Sequence, residues 1–222
     1  MKRLRAYFDR IFPPYTHLPL LSVLCMNFIA YYIPKLVEKR ELFLLSTRLD
    51  DALPLIPACI FIYVLAYVQW FVGYTVAARE SRALSRRLAL GDALAKLLAM
   101  GVMLLWPTYM VRPAVEVRGP ATWLLQFIYR IDAPTHIFPS MHCLASWICL
   151  RRSQGLTRTP RWYGAVQAVF SVLVFISVLL VKQHVWPDVV GGIAAAELGI
   201  QLSDLLCRRR AKSSDRSARS HA

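Results

Sequence analysis

The stretch YGAVQAVFSVLVFISVLLV, residues 163–181, has no charged side chain and is long enough to cross a lipid bilayer as one helix. Similar apolar runs occupy residues 18–37, 53–78, 93–111, 137–150 and 189–207. Of the 222 residues, 57% are hydrophobic and 18% charged, and the mean hydropathy is +0.43. This pattern predicts an all-α polytopic membrane protein, a six-transmembrane-helix bundle. The short run 137–150 would need Arg151 and Arg152 to extend to the membrane surface.

Two other fold classes fit these runs less well. A soluble protein with six buried helices in about 200 residues would lack the polar sequence needed to coat its core. Transmembrane strands alternate apolar and polar residues, whereas these runs are continuous. We therefore expect helices within a membrane.

The net charge of +14 is distributed unevenly between the predicted loops. With six spans, the N-terminus, the second and fourth connections and the C-terminal tail hold 18 cations, and the other side holds 8 with most of the acids. Because short cytoplasmic loops are rich in Lys and Arg, both termini are predicted to be cytoplasmic. Basic loops there would contact anionic lipids, so the charge needs no nucleic-acid partner.

The chain divides into three predicted regions. Residues 1–17 are a basic cytoplasmic segment in which arginines alternate with apolar residues, as in an interfacial helix. No small-residue cleavage site precedes Pro34, which predicts an uncleaved anchor. Residues 18–207 form the membrane domain, and the basic, Ser-rich tail 208–222 is predicted to be disordered. The five cysteines lie in or beside apolar runs without a C-x-x-C pair, which predicts core residues and no disulfide or zinc site.

Two outer connections are long, residues 38–52 and residues 113–136. The second contains ATWLLQFIYR, an aromatic-rich segment typical of a helix that lies in the membrane interface. Such a helix would roof a pocket at the outer face.

Polar residues cluster at the outer ends of the predicted spans. The third span ends in LLWPTYMVRP, the fourth begins at FPSMH, and the fifth and sixth are joined by VKQHVWPD. The topology predicted from the Lys and Arg counts alone puts all three clusters on the same face of the membrane. The candidate site residues in them are Arg112, Ser140, His142, Lys182, His184 and Asp188.

These residue types match the needs of phosphoryl transfer. Arg112 and Lys182 are cations suited to a phosphate, and Ser140 stands where the backbone N–H groups of a helix start would bind an anion. Asp188, four residues after His184, can accept a hydrogen bond from one ring nitrogen and leave the other free to attack phosphorus. His142 is then the natural acid for the leaving group.

Each residue also has an ordinary structural interpretation. A histidine at a helix end is more often an interfacial or core residue, Arg112 alone can be a membrane anchor, and Ser140 can be a helix cap. A metal site formed by His136, His142, His184 and Asp188 is a further alternative, which the irregular spacing disfavours. His136 has no assigned role, and simple surface exposure accounts for it equally well.

The motifs R-P at 112–113, P-S-M-H at 139–142 and H-x-x-x-D at 184–188 resemble the type 2 phosphatidic acid phosphatase superfamily, over about residues 50–205. These proteins are metal-independent membrane lipid phosphatases and phosphotransferases with a six-helix core and no cofactor. The resemblance implies that His184 is a nucleophile that forms a phosphohistidine, with Asp188 as its partner and His142 as the general acid. It also implies that Arg112 and Ser140 bind phosphate.

The chain departs from this family at two cationic positions. Leu105 stands where the first motif has Lys, and Val178 stands where the third motif has Arg. Lys182 would replace one of them. FPSMH, KQH and the upstream DDALPLIP are closer to the branch that resembles inositol-phosphotransferases and sphingomyelin synthases.

The expected function is therefore cleavage of a phosphoester or pyrophosphate at the outer face, on a phospholipid, sphingolipid or isoprenyl-phosphate substrate. Water as acceptor would make the protein a phosphatase, and an alcohol would make it a transferase. The alternative is a non-catalytic protein that binds or transports phosphate-bearing lipids.

Overall fold

The computed structural model describes residues 9, 11–37 and 41–220, with side chains up to Arg210 and at Ser213. The predicted N-terminal interfacial helix lies largely outside the described residues. Two short strands, β1 (Phe43–Leu44) and β2 (Thr108–Tyr109), pair in parallel, and a 3-10 turn spans Pro57–Cys59. The helices are α1 (Pro14–Leu36), α2 (Arg48–Ala52), α3 (Ile60–Glu80), α4 (Arg82–Leu105), α5 (Pro120–Ile131), α6 (Met141–Ser153), α7 (Trp162–Leu180) and α8 (Trp186–Ser220).

Five of these helices are long and apolar enough to cross a membrane, namely α1, α3, α4, α7 and α8. The sixth predicted span, residues 137–150, does not form such a helix. Pro139 and the extended backbone of Ser140 delay the start of α6 to Met141. Its 13 residues rise only about 20 Å. Most of its side chains are buried among α3, α7 and α8, so α6 lies in the interior of the bundle.

Polar side chains tie the three helices around α6 together. Gln69 of α3 donates to the Ser171 hydroxyl of α7 at 2.9 Å and accepts from the Ser146 hydroxyl of α6 at 3.0 Å. Trp70 donates to the same Ser146 oxygen at 2.9 Å. Interhelical hydrogen bonds of this kind stabilise helix packing within apolar surroundings.

The two ends of the bundle differ in charge, as the sequence predicts. The basic connections after α3 and α6 meet at one end, where Thr157 donates to the Glu80 carboxylate and Arg152 pairs with Asp204 at 3.1 Å. His184 and Arg112 lie at the opposite end. Which end faces the cytoplasm remains a prediction.

The tail and the cysteines differ in part from the expectations. The tail 208–222 is predicted to be disordered, but α8 continues through it to Ser220, because residues 208–220 contain no Gly or Pro to end the helix. All five cysteines are free. Cys143 and Cys149 are buried as expected, whereas Cys25 is exposed on the outer surface of α1.

Helices α4 and α8 pack closely because small residues face each other. We expect Gly199→Ala to destabilise the bundle by about 1–3 kcal/mol. The new Cβ would lie 2.5 Å from the Gly91 carbonyl oxygen and 2.7 Å from the Ala95 Cβ, so the helices would have to separate. The measurement is the thermal unfolding midpoint in detergent.

Gly101→Ala is the matched control for this prediction. It lies in the interior of α4, and a Cβ there meets no atom within 4 Å. This variant should be neutral or stabilised by up to about 1 kcal/mol, because Ala favours helix over Gly. Equal unfolding midpoints for the two variants would contradict the close packing at Gly199.

Candidate active site

His184 and Asp188 lie at the turn that joins α7 to α8. Lys182 adopts a left-handed backbone with φ +51°, which ends α7 and directs the chain back into the bundle. The His184 Nδ1 lies 2.9 Å from Asp188 Oδ2, which also accepts the Val185 backbone N–H at 3.0 Å. Because a carboxylate can only accept, this contact favours the tautomer of a neutral His184 that carries its proton on Nδ1. The predicted pairing of these two residues is confirmed as a contact.

His142 lies opposite His184, at the first turn of α6. Its ring stacks on the buried Tyr63 ring with centroids 4.2 Å apart, and the Trp70 ring lies tilted to it at 5.0 Å. The ring centroids of His142 and His184 are 6.1 Å apart. The two imidazoles are thus neighbours in one site.

Arg112 lies beside the two histidines and is held by three neighbours. It donates to the Asp132 backbone oxygen at 2.6 Å and to the Gln183 side-chain oxygen, and it stacks over the Tyr129 ring at 4.7 Å. Desolvation lowers the pKa of Arg112, and the nearby Asp132 carboxylate opposes that shift. The guanidinium plane is therefore fixed before any ligand arrives.

Four buried polar atoms in this region have no hydrogen-bond partner in the described part of the chain. They are Arg112 Nε, Gln183 Nε2, the ring nitrogen His142 Nε2 and the carboxylate oxygen Asp188 Oδ1. Buried polar groups without partners are costly, about 1–3 kcal/mol each. An oxygen-rich ligand would satisfy the Arg112 and Gln183 donors. Sequence reasoning missed Gln183, although it stands directly before His184.

Arg112, His142 and His184 line a single cavity of about 750 Å³. The cavity runs along the inner side of α1 from Lys35 to His17, which is about 27 Å at the helical rise per residue. Its opposite wall is rich in aromatic side chains, including Tyr63, Tyr67, Trp70, Phe71 and Tyr74. The cavity thus has a polar end, and the rest of its length is mainly apolar.

Two predicted site residues do not face this cavity. The Ser140 side chain is fully buried and caps α6 by accepting the Cys143 N–H at 3.3 Å. The Lys182 ammonium donates to the backbone oxygens of Asp50 and Leu53, both at 2.7 Å. In this structure both side chains are used in backbone contacts, and neither residue lines the cavity that Arg112, His142 and His184 share.

Asp50 explains why Lys182 is drawn away from the cavity. Its carboxylate accepts the backbone N–H of Trp186, the first residue of α8, at 2.7 Å, while its backbone oxygen accepts from Lys182. Asp50 itself is held by a capping box with Thr47. The segment around α2 thus supports the turn that carries His184.

The connection between α4 and α6 forms part of the cavity wall. The segment predicted to be an interfacial helix forms the helix α5, and its Ile128 and Ile131 line the cavity. His136 follows it with a backbone φ of +54°, and its N–H donates to the Thr108 oxygen at 2.7 Å. His136 lines the cavity and is only 7% exposed, so simple surface exposure does not account for it.

Lys35 and Asp132 form an ion pair across the mouth of the cavity that sequence reasoning missed. The Lys35 Nζ lies 2.7 Å from Asp132 Oδ1, and the Tyr31 hydroxyl donates to the same oxygen at 2.5 Å. Burial acts to raise the pKa of Asp132, but Lys35, Tyr31 and Arg112 together hold it below its usual value. The pair joins α1 to the segment that holds Arg112.

A second missed ion pair lies deeper, between Asp92 and Lys96 of α4. Their side chains are 2.9 Å apart and almost fully buried. Asp92 accepts from the Tyr74 hydroxyl at 2.5 Å, and Lys96 donates to the Val23 backbone oxygen at 3.2 Å. Two opposite charges four residues apart in an apolar span were the available signal. The pair connects α1 and α3 to α4.

The side chains of the alternative metal site do not come together. Among residues 9, 11–37 and 41–220, no group of three or more His, Cys, Asp or Glu side chains converges.

Leu105 and Val178 stand at the two positions where the resembled family has cations. Leu105 is 78% exposed and Val178 is fully buried in the apolar core, and neither lines the cavity.

No protein-family model, curated protein or solved structure matches this chain.

Proposed function

We propose that this protein is an integral membrane lipid phosphatase or phosphotransferase that works through a phosphohistidine at His184. The observation that carries this proposal is the shared cavity, in which Arg112, His142 and the Asp188-oriented His184 stand at one end of a long aromatic channel. A lipid with a phosphorylated headgroup has the same division into a charged end and an apolar body. The motif resemblance supports the same reaction class.

The proposed reaction has two balanced steps. The Nε2 lone pair of His184 attacks phosphorus, the bond from phosphorus to the leaving oxygen breaks, and His142 gives that oxygen a proton. Water or an alcohol then loses its proton to His142 and attacks phosphorus, and the phosphorus–nitrogen bond breaks. Asp188 keeps the His184 proton on Nδ1 and stabilises the ring as it becomes positive.

Arg112 has the role of stabilising the phosphoryl oxygens in both steps. Its Nε donor has no partner among the described residues, and its terminal nitrogen donates to the Gln183 side-chain oxygen, which holds the Gln183 amide against the guanidinium. Donors that are fixed in advance and aimed at developing charge lower a reaction barrier more than flexible ones. Gln183 thus joins the phosphate-binding residues in this proposal.

The topology that accompanies this function has both termini in the cytoplasm and the His184 end at the outer face. The positions of the basic loops support that orientation. The short α6 and the segment before it would supply the sixth passage of the chain through the membrane, surrounded by α3, α7 and α8.

A panel assay on purified protein tests the proposal. The panel contains phosphatidate, a ceramide-based lipid with a phosphoryl headgroup, and an isoprenyl diphosphate. Each lipid is incubated with and without an alcohol acceptor, and with and without a strong chelator. We expect turnover of at least one lipid that persists in the chelator, and the product identifies the acceptor. Turnover that requires added metal would contradict the proposed mechanism.

The second candidate is a non-catalytic protein that binds or transports phosphate-bearing lipids. The favouring observation is the length of the cavity, which extends to His17 and Thr75 near the opposite end of the bundle. Leu105 and Val178, which stand where the resembled family has Lys and Arg, also favour this candidate. Lipid binding without turnover on every member of the panel would favour this candidate.

A further inference from the structure

We propose that Lys35 of α1 is the second cation of the phosphate pocket and takes the place of the family cations missing at Leu105 and Val178. This inference rests on the proposed function, because it assigns a residue to the same site. Lys35 precedes the residues over which the chain resembles the family. No motif therefore points to it.

The position of Lys35 is the first argument. It lines the same cavity as Arg112 and His184, and its side chain is 20% exposed at the cavity mouth. Leu105 and Val178 line no part of that cavity. A cation contributed by α1 therefore reaches the site, whereas a cation at either of those positions would need its side chain to turn inward.

The bonding of Lys35 is the second argument. Its ammonium has three protons, of which one is donated to Asp132 at 2.7 Å and one to the Tyr31 hydroxyl at 2.8 Å. Within residues 11–37 and 41–220 no hydrogen bond uses the third proton, and it can be donated to a ligand in the cavity. Asp132 thus serves as a counter-ion that holds Lys35 in place before the phosphate arrives.

The charge at the cavity mouth is the third argument. Among the lining residues at this end, Arg112 and Lys35 are fixed cations and Asp132 is the carboxylate. The backbone oxygen of Asp132 accepts from Arg112 while its side chain accepts from Lys35, so one residue holds both cations. A phosphate bound there would meet two cations from different helices, a suitable arrangement for a dianion.

The test measures inorganic phosphate binding to the purified full-length protein, from the rise of its unfolding midpoint with phosphate concentration. We expect Lys35→Met and Lys35→Gln to weaken binding at least about tenfold, the usual effect of losing a charged hydrogen bond. Lys35→Arg should stay within about threefold. Arg130→Gln, which removes an exposed cation from α5 outside the cavity, is the matched control and should change little.

Asp132→Asn separates phosphate binding from a merely structural ion pair. It removes the negative charge of the pair but leaves Lys35 charged, with an amide oxygen that can still accept from it. The backbone bond to Arg112 also stays intact, so phosphate binding should stay within about threefold. If Asp132→Asn weakens binding as much as Lys35→Met does, Lys35 only holds α1, and the inference is wrong. Unchanged binding in both Lys35 variants, or no binding by the wild type, overturns it as well.

The outcomes distinguish this inference from the proposed function. Lys35-dependent phosphate binding without turnover of any lipid would support the second cation and overturn the enzyme. Lipid turnover that is unaffected by Lys35→Met would support the enzyme and overturn the second cation.

Discussion

His184→Ala is expected to lower lipid turnover by about 10³-fold or more, which corresponds to about 4 kcal/mol of transition-state stabilisation. The variant removes the proposed attacking nitrogen, and Asp188 then has no ring to orient. His142 cannot replace it, because its ring is stacked on Tyr63 and lacks a carboxylate partner. The measurement is steady-state turnover together with trapping of an acid-labile phosphoenzyme.

His17→Ala is the matched control for this variant. His17 lines the same cavity near its opposite end, where its Nε2 lies 2.9 Å from the Phe12 backbone oxygen. Its loss should leave turnover within about threefold, since it lies far from the proposed reaction. A phosphoenzyme that still forms in His184→Ala would contradict the assignment of the nucleophile.

Arg112→Ala is expected to lower kcat/KM by about 10²- to 10³-fold, the range for removal of a fixed donor from a developing anion. Arg112→Lys should recover little of this loss. A lysine has one nitrogen, which cannot replace the planar fork held between the Asp132 oxygen, the Gln183 amide and the Tyr129 ring. The measurement is kcat and KM on the lipid that the panel identifies.

Arg118→Ala is the control for removing a cation from the same connection. Arg118 is 79% exposed and pairs with Glu116 at 2.7 Å, and it does not line the cavity. Its removal should leave kcat/KM within about twofold. Full recovery of activity in Arg112→Lys would mean that positive charge alone matters there, against the role proposed for the fixed, planar guanidinium.

The parts of the site that the sequence predicted are the local ones. His184 and Asp188 are four residues apart at a helix start, so backbone geometry alone brings them together. The placement of Arg112, His142 and His184 at the same end of the bundle was predicted by counting spans, because consecutive spans alternate in direction. Five of the six predicted spans form helices long enough to cross a membrane, and the sixth is short because Pro139 and the extended backbone of Ser140 delay the start of α6 to Met141.

The parts that the sequence did not predict depend on contacts between distant segments. The sequence predicted that Lys182 binds phosphate, but the left-handed turn directs its ammonium to the backbone oxygens of Asp50 and Leu53. Lys35 had no assigned role in the sequence, yet it pairs with Asp132, 97 residues away. Neither contact leaves a trace in the local pattern of the chain.

Hydropathy and charge order alone determined that this protein is helical, apolar along most of its length and divided into a basic end and a mixed end. Those properties depend on residues that are neighbours in the sequence and on the free energy of transferring apolar side chains out of water. Neither depends on how distant segments pack. Only the tertiary structure decided which cations face the cavity. A charged side chain takes the nearest available partner, and the packing of α1, α5 and the outer connections determines where each partner lies.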